Sequence, residues 1–89
     1  MKIDALMMDE KDNVVTCVRD VEAGETIHYR KENEMQEILA KEAIPFSHKI
    51  ALTDLAKEQE VIKYGELIGK TNKEIKAGCL VDHNNIYSV

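Results

Sequence analysis

Asp20-Val21-Glu22-Ala23-Gly24-Glu25-Thr26-Ile27 is answered twice further along the chain, by Asp54-Leu55-Ala56-Lys57-Glu58-Gln59-Glu60-Val61 and by Glu74-Ile75-Lys76-Ala77-Gly78-Cys79-Leu80-Val81. Each unit runs acid, aliphatic, a short polar or small stretch, a turn, then an aliphatic that opens a strand. The acid can accept from neighbouring backbone N–H groups, the aliphatic anchors the turn in a core, and Gly24 or Gly78 permits positive φ. The middle unit carries Glu58 where the others carry glycine, so its turn must differ or be strained. Units this short do not make a solenoid. They predict a compact domain in which one turn begins several short strands.

Outward from these units the chain reads as further short strands. Ile3 to Met8 is an apolar run broken by Asp4, the cluster Asp9-Glu10-Lys11-Asp12-Asn13 is a turn, and Val14 to Val18 is densely β-branched, which predicts a hairpin. Thr26 to Lys31 alternates, with Ile27 and Tyr29 on one face. Glu32 to Glu42 places Met35, Ile38 and Leu39 at helical spacing among good helix formers, so local pattern favours a helix there. Pro45 closes that segment, because the residue before proline is pushed toward extended geometry. Lys49 to Leu52 reads as a strand, and Thr53-Asp54 can cap one helical turn through Leu55 and Ala56. Val61 to Tyr64 is a strand; Gly65 and Gly69, bracketing Glu66-Leu67-Ile68, predict a bend or bulge. Leu80 to Val81 and Ile86 to Val89 supply the last extended pieces.

Composition narrows the function. The 89 residues make one small domain with no Trp, one Phe and three Tyr, so aliphatic side chains must fill a small core. A large enclosed pocket made by this chain alone is therefore not expected; a site shared with another chain is easier to build. The net charge of −5, with acids and bases interspersed, argues against a phosphate backbone or an anionic membrane as the partner. Cys17 and Cys79 lack CxxC spacing and read as structural thiols of a reducing compartment. Met1-Lys2-Ile3-Asp4 begins without an apolar leader, and no run approaches the ~20 apolar residues of a membrane helix. The expected location is cytoplasmic.

Three histidines are available for acid–base or metal chemistry: His28, His48 and His83. None pairs at HxH or HxxxH spacing, so spacing alone defines no metal site. His28 reads as a strand-face histidine with local hydrogen bonds. His48 lies in Ile44-Pro45-Phe46-Ser47-His48-Lys49, a proline-stiffened loop of the kind that presents functional side chains. Asp82-His83-Asn84-Asn85 reads as a turn whose four polar side chains could also grip a sugar acid or a metal-bound water. Lys63-Tyr64-Gly65 joins a cation, a phenol and a bend, with Tyr64 packed in the core as the plain reading. There is no Ser/His/Asp elbow, phosphate loop, dinucleotide fingerprint or nucleophilic cysteine motif.

From Ile44 onward three segments resemble a known family. Ile44-Pro45-Phe46-Ser47-His48-Lys49-Ile50-Ala51-Leu52-Thr53-Asp54-Leu55-Ala56-Lys57, then Val61-Ile62-Lys63-Tyr64-Gly65-Glu66-Leu67-Ile68-Gly69, then Glu74-Ile75-Lys76-Ala77-Gly78 look like the SAF domain of altronate and galactarate dehydratases. Asp12-Asn13-Val14-Val15-Thr16 and Asp20-Val21-Glu22-Ala23-Gly24 are similar to that domain's opening. The small subunit of sulfolactate sulfo-lyase is similar too. The resemblance spans most of residues 10–85 within a single domain of residues 1–89. It implies a mainly β, SAF-type β-clip fold of short hairpins with one or two short helical turns, and so prefers strands over residues 32–42. It also implies a partner, a larger dehydratase catalytic subunit acting on a hexonate or related hydroxy acid; a homo-oligomer is compatible with it.

The implied reaction is a β-elimination. A proton next to a carboxylate is weakly acidic, so such sites use a divalent cation as Lewis acid, here held mainly by the partner chain, and an acid for the leaving group. Carried over by position, His48 matches the histidine of the family's GHK segment and is the catalytic candidate. Lys49 follows it, and Lys63 and Tyr64 match the KYG segment; with Asn85 these are the substrate-binding candidates. Two departures stand out. Ser47 replaces a glycine, and Leu80, Asp82 and Asn84 occupy the three histidine positions of the family's EHVHxHN ending, where Asn85 alone matches. Asp82, His83 and Asn84 are the metal candidates that remain, His83 only with a one-residue register slip. The readings are an accessory lyase subunit inactive alone, a non-catalytic SAF carbohydrate- or protein-binding module, and a structural or regulatory remnant.

Overall fold

In the computed structural model, which describes residues 2–88, the three repeated units fold into one device. The N–H of Glu25, Gln59 and Cys79 donates to the carbonyl of Glu22, Ala56 and Lys76, closing a four-residue turn. The third residue of each turn, Gly24, Glu58 or Gly78, sits at φ +91°, +66° or +89°. That is the position at which a type II turn demands left-handed backbone. A fourth copy, not apparent from sequence, lies at Ile44–His48. There the His48 N–H donates to the Pro45 carbonyl at 3.0 Å and Ser47 takes φ +70°. Its disguise is simple: the position before Ile44 is Ala43 instead of an acid, and no glycine marks the turn.

Each turn runs straight into a β-bulge, two residues against one. Gly24 and Glu25 share Ala40, Ser47 and His48 share Cys17, Glu58 and Gln59 share Thr71, and Gly78 and Cys79 share Ala51. All four shared residues are small and buried. The units then pair. Val21 bridges Ile44, Leu55 bridges Ile75, and the leading acid crosses over: Asp20 Oδ1 accepts the Phe46 N–H at 2.8 Å and Asp54 Oδ1 the Ala77 N–H at 2.9 Å. The helical turn expected at Thr53–Ala56 is therefore absent. Asp54 is committed to the facing unit and Leu55 is a bridge residue, so neither is free to start a helix.

Nine strands result among the described residues: β1 (Ala5–Leu6), β2 (Val14–Cys17), β3 (Thr26–Lys31), β4 (Glu34–Leu39), β5 (Lys49–Ala51), β6 (Glu60–Lys63), β7 (Glu66–Thr71), β8 (Leu80–Val81) and β9 (Ile86–Tyr87). A central antiparallel sheet has the order β1-β2-β5-β8, with a β3-β4 hairpin and a β6-β7-β9 sheet beside it. Because side chains alternate along a strand, the central sheet supports a core on each face. Ala5, Val15, Cys17 and Ile50 join Ile27, Tyr29, Ala40 and Ile44 on one side. Val14, Ala51 and Val81 join Leu55, Val61 and Ile75 on the other. The fold is mainly β, with no helix among the described residues.

Residues 34–39 are strand, so the helical pattern of the segment 32–42 loses. Six-residue pairing with β3 holds it extended, from Lys31↔Glu34 to Thr26↔Leu39, and sets Ile38 against the first core. Propensity is worth a few tenths of a kcal/mol per residue and yields to such non-local pairing. The expected β1–β2 hairpin is present with Ala5↔Cys17. The irregularity expected between Gly65 and Gly69 is present as well: the register shifts so that Val61 faces Gly69 while Ile62 faces Leu67.

The start of the chain is held by Asp4. Its carboxylate accepts from Arg19 Nε at 3.0 Å, the His28 N–H at 2.9 Å and His28 Nδ1 at 3.1 Å. Burial alone would raise its pKa; the His28 backbone donor, Arg19 and the His28 ring outweigh burial and hold it below its ordinary 3.8. A carboxylate depressed in the folded state contributes stability above its unfolded pKa and loses it as pH falls through the folded value. Urea denaturation between about pH 5 and pH 2 should show wild type losing stability more steeply than Asp4→Asn. Equal slopes would remove Asp4 from the acid response.

Two glycines at the same turn position make a second test. A Cβ on Gly24 meets open space, whereas one on Gly78 runs into the Leu39 carbonyl oxygen. Gly24→Ala should cost about 1–2 kcal/mol from left-handed strain alone. Gly78→Ala should cost roughly 2 kcal/mol more, from backbone displacement. Chemical denaturation of the two variants checks the difference.

Candidate functional site

The fourth turn delivers His48 and Lys49 at the mouth of β5. The His48 backbone carbonyl accepts the Cys17 N–H at 2.9 Å, so its main chain is fixed in the bulge. Its ring Nδ1 lies 3.3 Å from the Phe46 carbonyl oxygen. A carbonyl only accepts, so Nδ1 carries the proton in this contact and Nε2 presents its lone pair. The ring is half-buried, and among the described residues Nε2 has no hydrogen-bond partner. Beside it Phe46 is 61% exposed, the most exposed of the large apolar side chains. Sequence reasoning passed over Phe46; a lone Phe directly after the proline of a turn was its only signal.

Lys49 points to the other face. Alternation along β5 groups His48 with Ile50 over the first core and Lys49 with Ala51 over the second. The Lys49 ammonium is half-buried and forms no ion pair among the described residues. Burial lowers its pKa, Lys63 lowers it further, and Asp82 offsets part of the fall. Lys49, Lys63 and Asp82 thus share one electrostatic neighbourhood. Lys63 Nζ also stands 5.0 Å from the centroid of the Tyr64 ring, in cation–π range.

Tyr64 is not a core residue. It is 56% exposed, because Tyr64-Gly65 forms the tip of the β6–β7 hairpin with φ of +58° and +72°. Both values are positive, as a type I′ turn requires. Asp12 and Asn13, read from sequence merely as turn residues, grip this hairpin. Asp12 Oδ1 accepts the Gly65 N–H at 2.8 Å, and Asn13 Oδ1 accepts the Ile62 N–H at 2.8 Å. Asp12 is buried and its other oxygen accepts from Met8 and Asp9, so one carboxylate ties the first turn of the chain to the Lys63-Tyr64 tip. A long-range partner of this kind leaves no mark in local sequence.

Residues 82–85 form a turn whose side chains largely bond its own backbone, with Asn72 donating to the Asn84 and Asn85 carbonyls. Asp82 Oδ1 accepts the Asn84 N–H at 2.9 Å, while Asn85 Oδ1 accepts the Asp82 N–H at 2.8 Å and its Nδ2 donates to the Leu80 carbonyl at 2.7 Å. Asn85 is buried, with its amide satisfied by main chain; His83 and Asn84 are exposed. Among the described residues no three His, Cys, Asp or Glu side chains gather as a metal cage. The described donors around Asp82 thus make no complete cage of their own. Cys17 is buried and its thiol is pushed up to about 11 by that burial, while Cys79 is half-buried and shifted upward for the same first reason. Neither is a nucleophile near neutral pH.

The concave surface lies elsewhere. Two grooves of about 240 and 260 Å³ line the β1–β3 edge around Met7 and Arg30, and none of the candidate residues borders either. Both fall below the ~300–1,000 Å³ usual for small-molecule sites. His48 and Lys49 lie on opposite sides of β5, and neither they nor Lys63 and Tyr64 line these grooves. No helix among the described residues is long and apolar enough to cross a membrane.

The fold is that of a small all-β domain whose candidate side chains lie outside its two grooves. Over residues 3–89 the chain matches the family model of the altronate/galactarate dehydratase SAF domain, and it belongs to that family. It is 35% identical over 92 aligned residues to (2R)-sulfolactate sulfo-lyase subunit alpha of Chromohalobacter salexigens, covering all of this chain and 95% of that one. It is 32% identical over 73 residues to altronate dehydratase of Bacillus subtilis and 35% over 74 residues to that of Escherichia coli. In both dehydratases the match takes 82–83% of this chain but 14% of the relative. The domain is thus a SAF domain of the kind associated with dehydratase-type enzymes.

A half-buried cation with a like-charged neighbour and no ion pair opposes folding. Lys49→Met keeps the apolar stem and removes the charge, so it should stabilise the domain by about 0.5–1 kcal/mol. Thermal or urea denaturation near neutral pH checks this. A clear loss of stability would mean that Lys49 is structural.

Proposed function

We propose that this domain is the accessory subunit of a hydro-lyase or sulfo-lyase of the altronate dehydratase type, inactive alone, completing the site of a larger catalytic chain. The observation that carries this reading is the His48 ring, anchored at Nδ1, with no hydrogen-bond partner for Nε2 among the described residues and a place outside both grooves. A base or acid so placed works only when a second surface closes over it. The near-complete overlap with subunit alpha of the sulfo-lyase supports a separate small subunit, and the 14% overlap with the dehydratases supports one module of a longer catalytic chain.

In this reading His48 exchanges a proton with the substrate or leaving group through Nε2, and Phe46 seats against the larger chain and keeps water from the ring. Lys49 and Lys63 set up a positive field on the opposite face of β5 for the carboxylate of a hydroxy or sulfo acid, with the Tyr64 hydroxyl as an added donor. Any divalent ion of the assembled site is held by the larger chain. The carboxamide of Asn85 shapes the adjoining turn instead of reaching substrate.

A second reading, a binding module without catalysis, draws on the ending of the chain. Leu80 offers no polar group at the first of the altered positions, and Asp82 is engaged with its own turn. The two readings part on one experiment. The domain is co-expressed with its larger chain, and turnover of a hexonate or 2-hydroxy-3-sulfo acid is measured with and without it. Accessory catalysis requires that turnover depend on the domain, and that His48→Ala lower kcat by about 10²-fold or more with assembly intact. Full turnover by the large chain alone would refute it. Unchanged kcat in His48→Ala would leave binding as the role.

A further inference from the structure

The four turns are an internal control on one another, and they differ at a single telling place. In the first, the Glu22 N–H donates to the side chain of Glu25 at 2.6 Å; in the third, the Ala56 N–H donates to that of Gln59 at 2.8 Å. In the last, Cys79 holds the corresponding place. In the first and third turns the side chain after the left-handed residue thus accepts the N–H that opens the turn. His48 holds that place in the remaining turn, and the residue that should donate to it is Pro45, which has no N–H.

We infer that Pro45 is a positioning residue: by deleting the donor that captures this side chain in two of the other turns, it keeps the His48 ring in the Nδ1–H tautomer with Nε2 free. A neutral imidazole has one donor and one acceptor nitrogen, and the partner of one fixes the role of the other. With a donor at position 45, Nδ1 becomes the acceptor, the proton moves to Nε2, and the ring loses its outward lone pair. With proline there, Nδ1–H turns to the Phe46 carbonyl 3.3 Å away. The same substitution leaves the turn's backbone closure intact, because that bond uses the carbonyl of Pro45. The inference deepens the proposed role of His48 but can be tested without it.

Long-range proton–nitrogen spectra of the ¹⁵N-labelled full chain read the tautomer directly, at a pH where the imidazoles are neutral, with His48 assigned by its loss in His48→Gln. Wild type should show Nδ1 protonated and Nε2 bare. In Pro45→Ala the pattern should reverse or average, while the amide spectrum outside the turn stays in place. A wild-type ring protonated at Nε2 overturns the inference, and this arm stands even if the variant does not fold. A folded Pro45→Ala with the wild-type pattern overturns it as well. In the reconstituted enzyme Pro45→Ala should lower kcat with KM little changed. Should the tautomer reverse while kcat holds, the positioning role of Pro45 stands and the acid–base role of His48 falls.

Discussion

The structure depends on one backbone constraint, met four times: the third residue of a turn must take φ between +66° and +91°. Only there can the chain close a turn and enter a strand as a bulge, with two residues facing one small, buried partner. Glycine meets the constraint without strain at residues 24 and 78. Ser47 and Glu58 meet it against steric cost, of order 1 kcal/mol or more each for a residue with a Cβ. Units paired through Val21↔Ile44 and Leu55↔Ile75 then hold the strands that each turn feeds.

From that constraint follows a domain short of core and rich in polar ties. The central sheet divides its aliphatic side chains between two faces, so each core is small. Carboxylates and amides supply what those cores do not: Asp4 fastens β1 to β3, Asp12 and Asn13 fasten the first turn to the β6–β7 hairpin, and Asp20 and Asp54 join facing units. Among the described residues every buried side-chain polar atom has a partner. Buried polar groups left unpaired cost about 1–3 kcal/mol each, a large share of the stability of a domain this size.

The candidate side chains are not spent on these small cores. His48, Lys49, Lys63 and Tyr64 lie outside the two grooves, where a second surface can meet them. A domain that recurs both as nearly a whole subunit and as a seventh of a long chain fits such a shared arrangement. Residues spent on folding and residues left over are distinguishable by their partners. Asn85 is spent; His48 and Lys49 are not.

The sequence by itself determined the strand-rich class, the β1–β2 hairpin, three of the four turns and the family, because these rest on local pattern: β-branched runs, acid-to-glycine spacing and ordered motifs. It singled out His48 through its proline-stiffened loop. Tertiary structure decided the rest. It made residues 34–39 a strand against their helical periodicity, since pairing with β3 outweighs local propensity. It replaced a helical turn at Asp54 with a cross-unit bond, and revealed the turn at Ser47 that neither an acid nor a glycine announces. It also set His48 and Lys49 on opposite faces, exposed Tyr64, and gave Asp12 its grip on Gly65. Those outcomes depend on which distant segments meet, and adjacency in the chain carries no record of that.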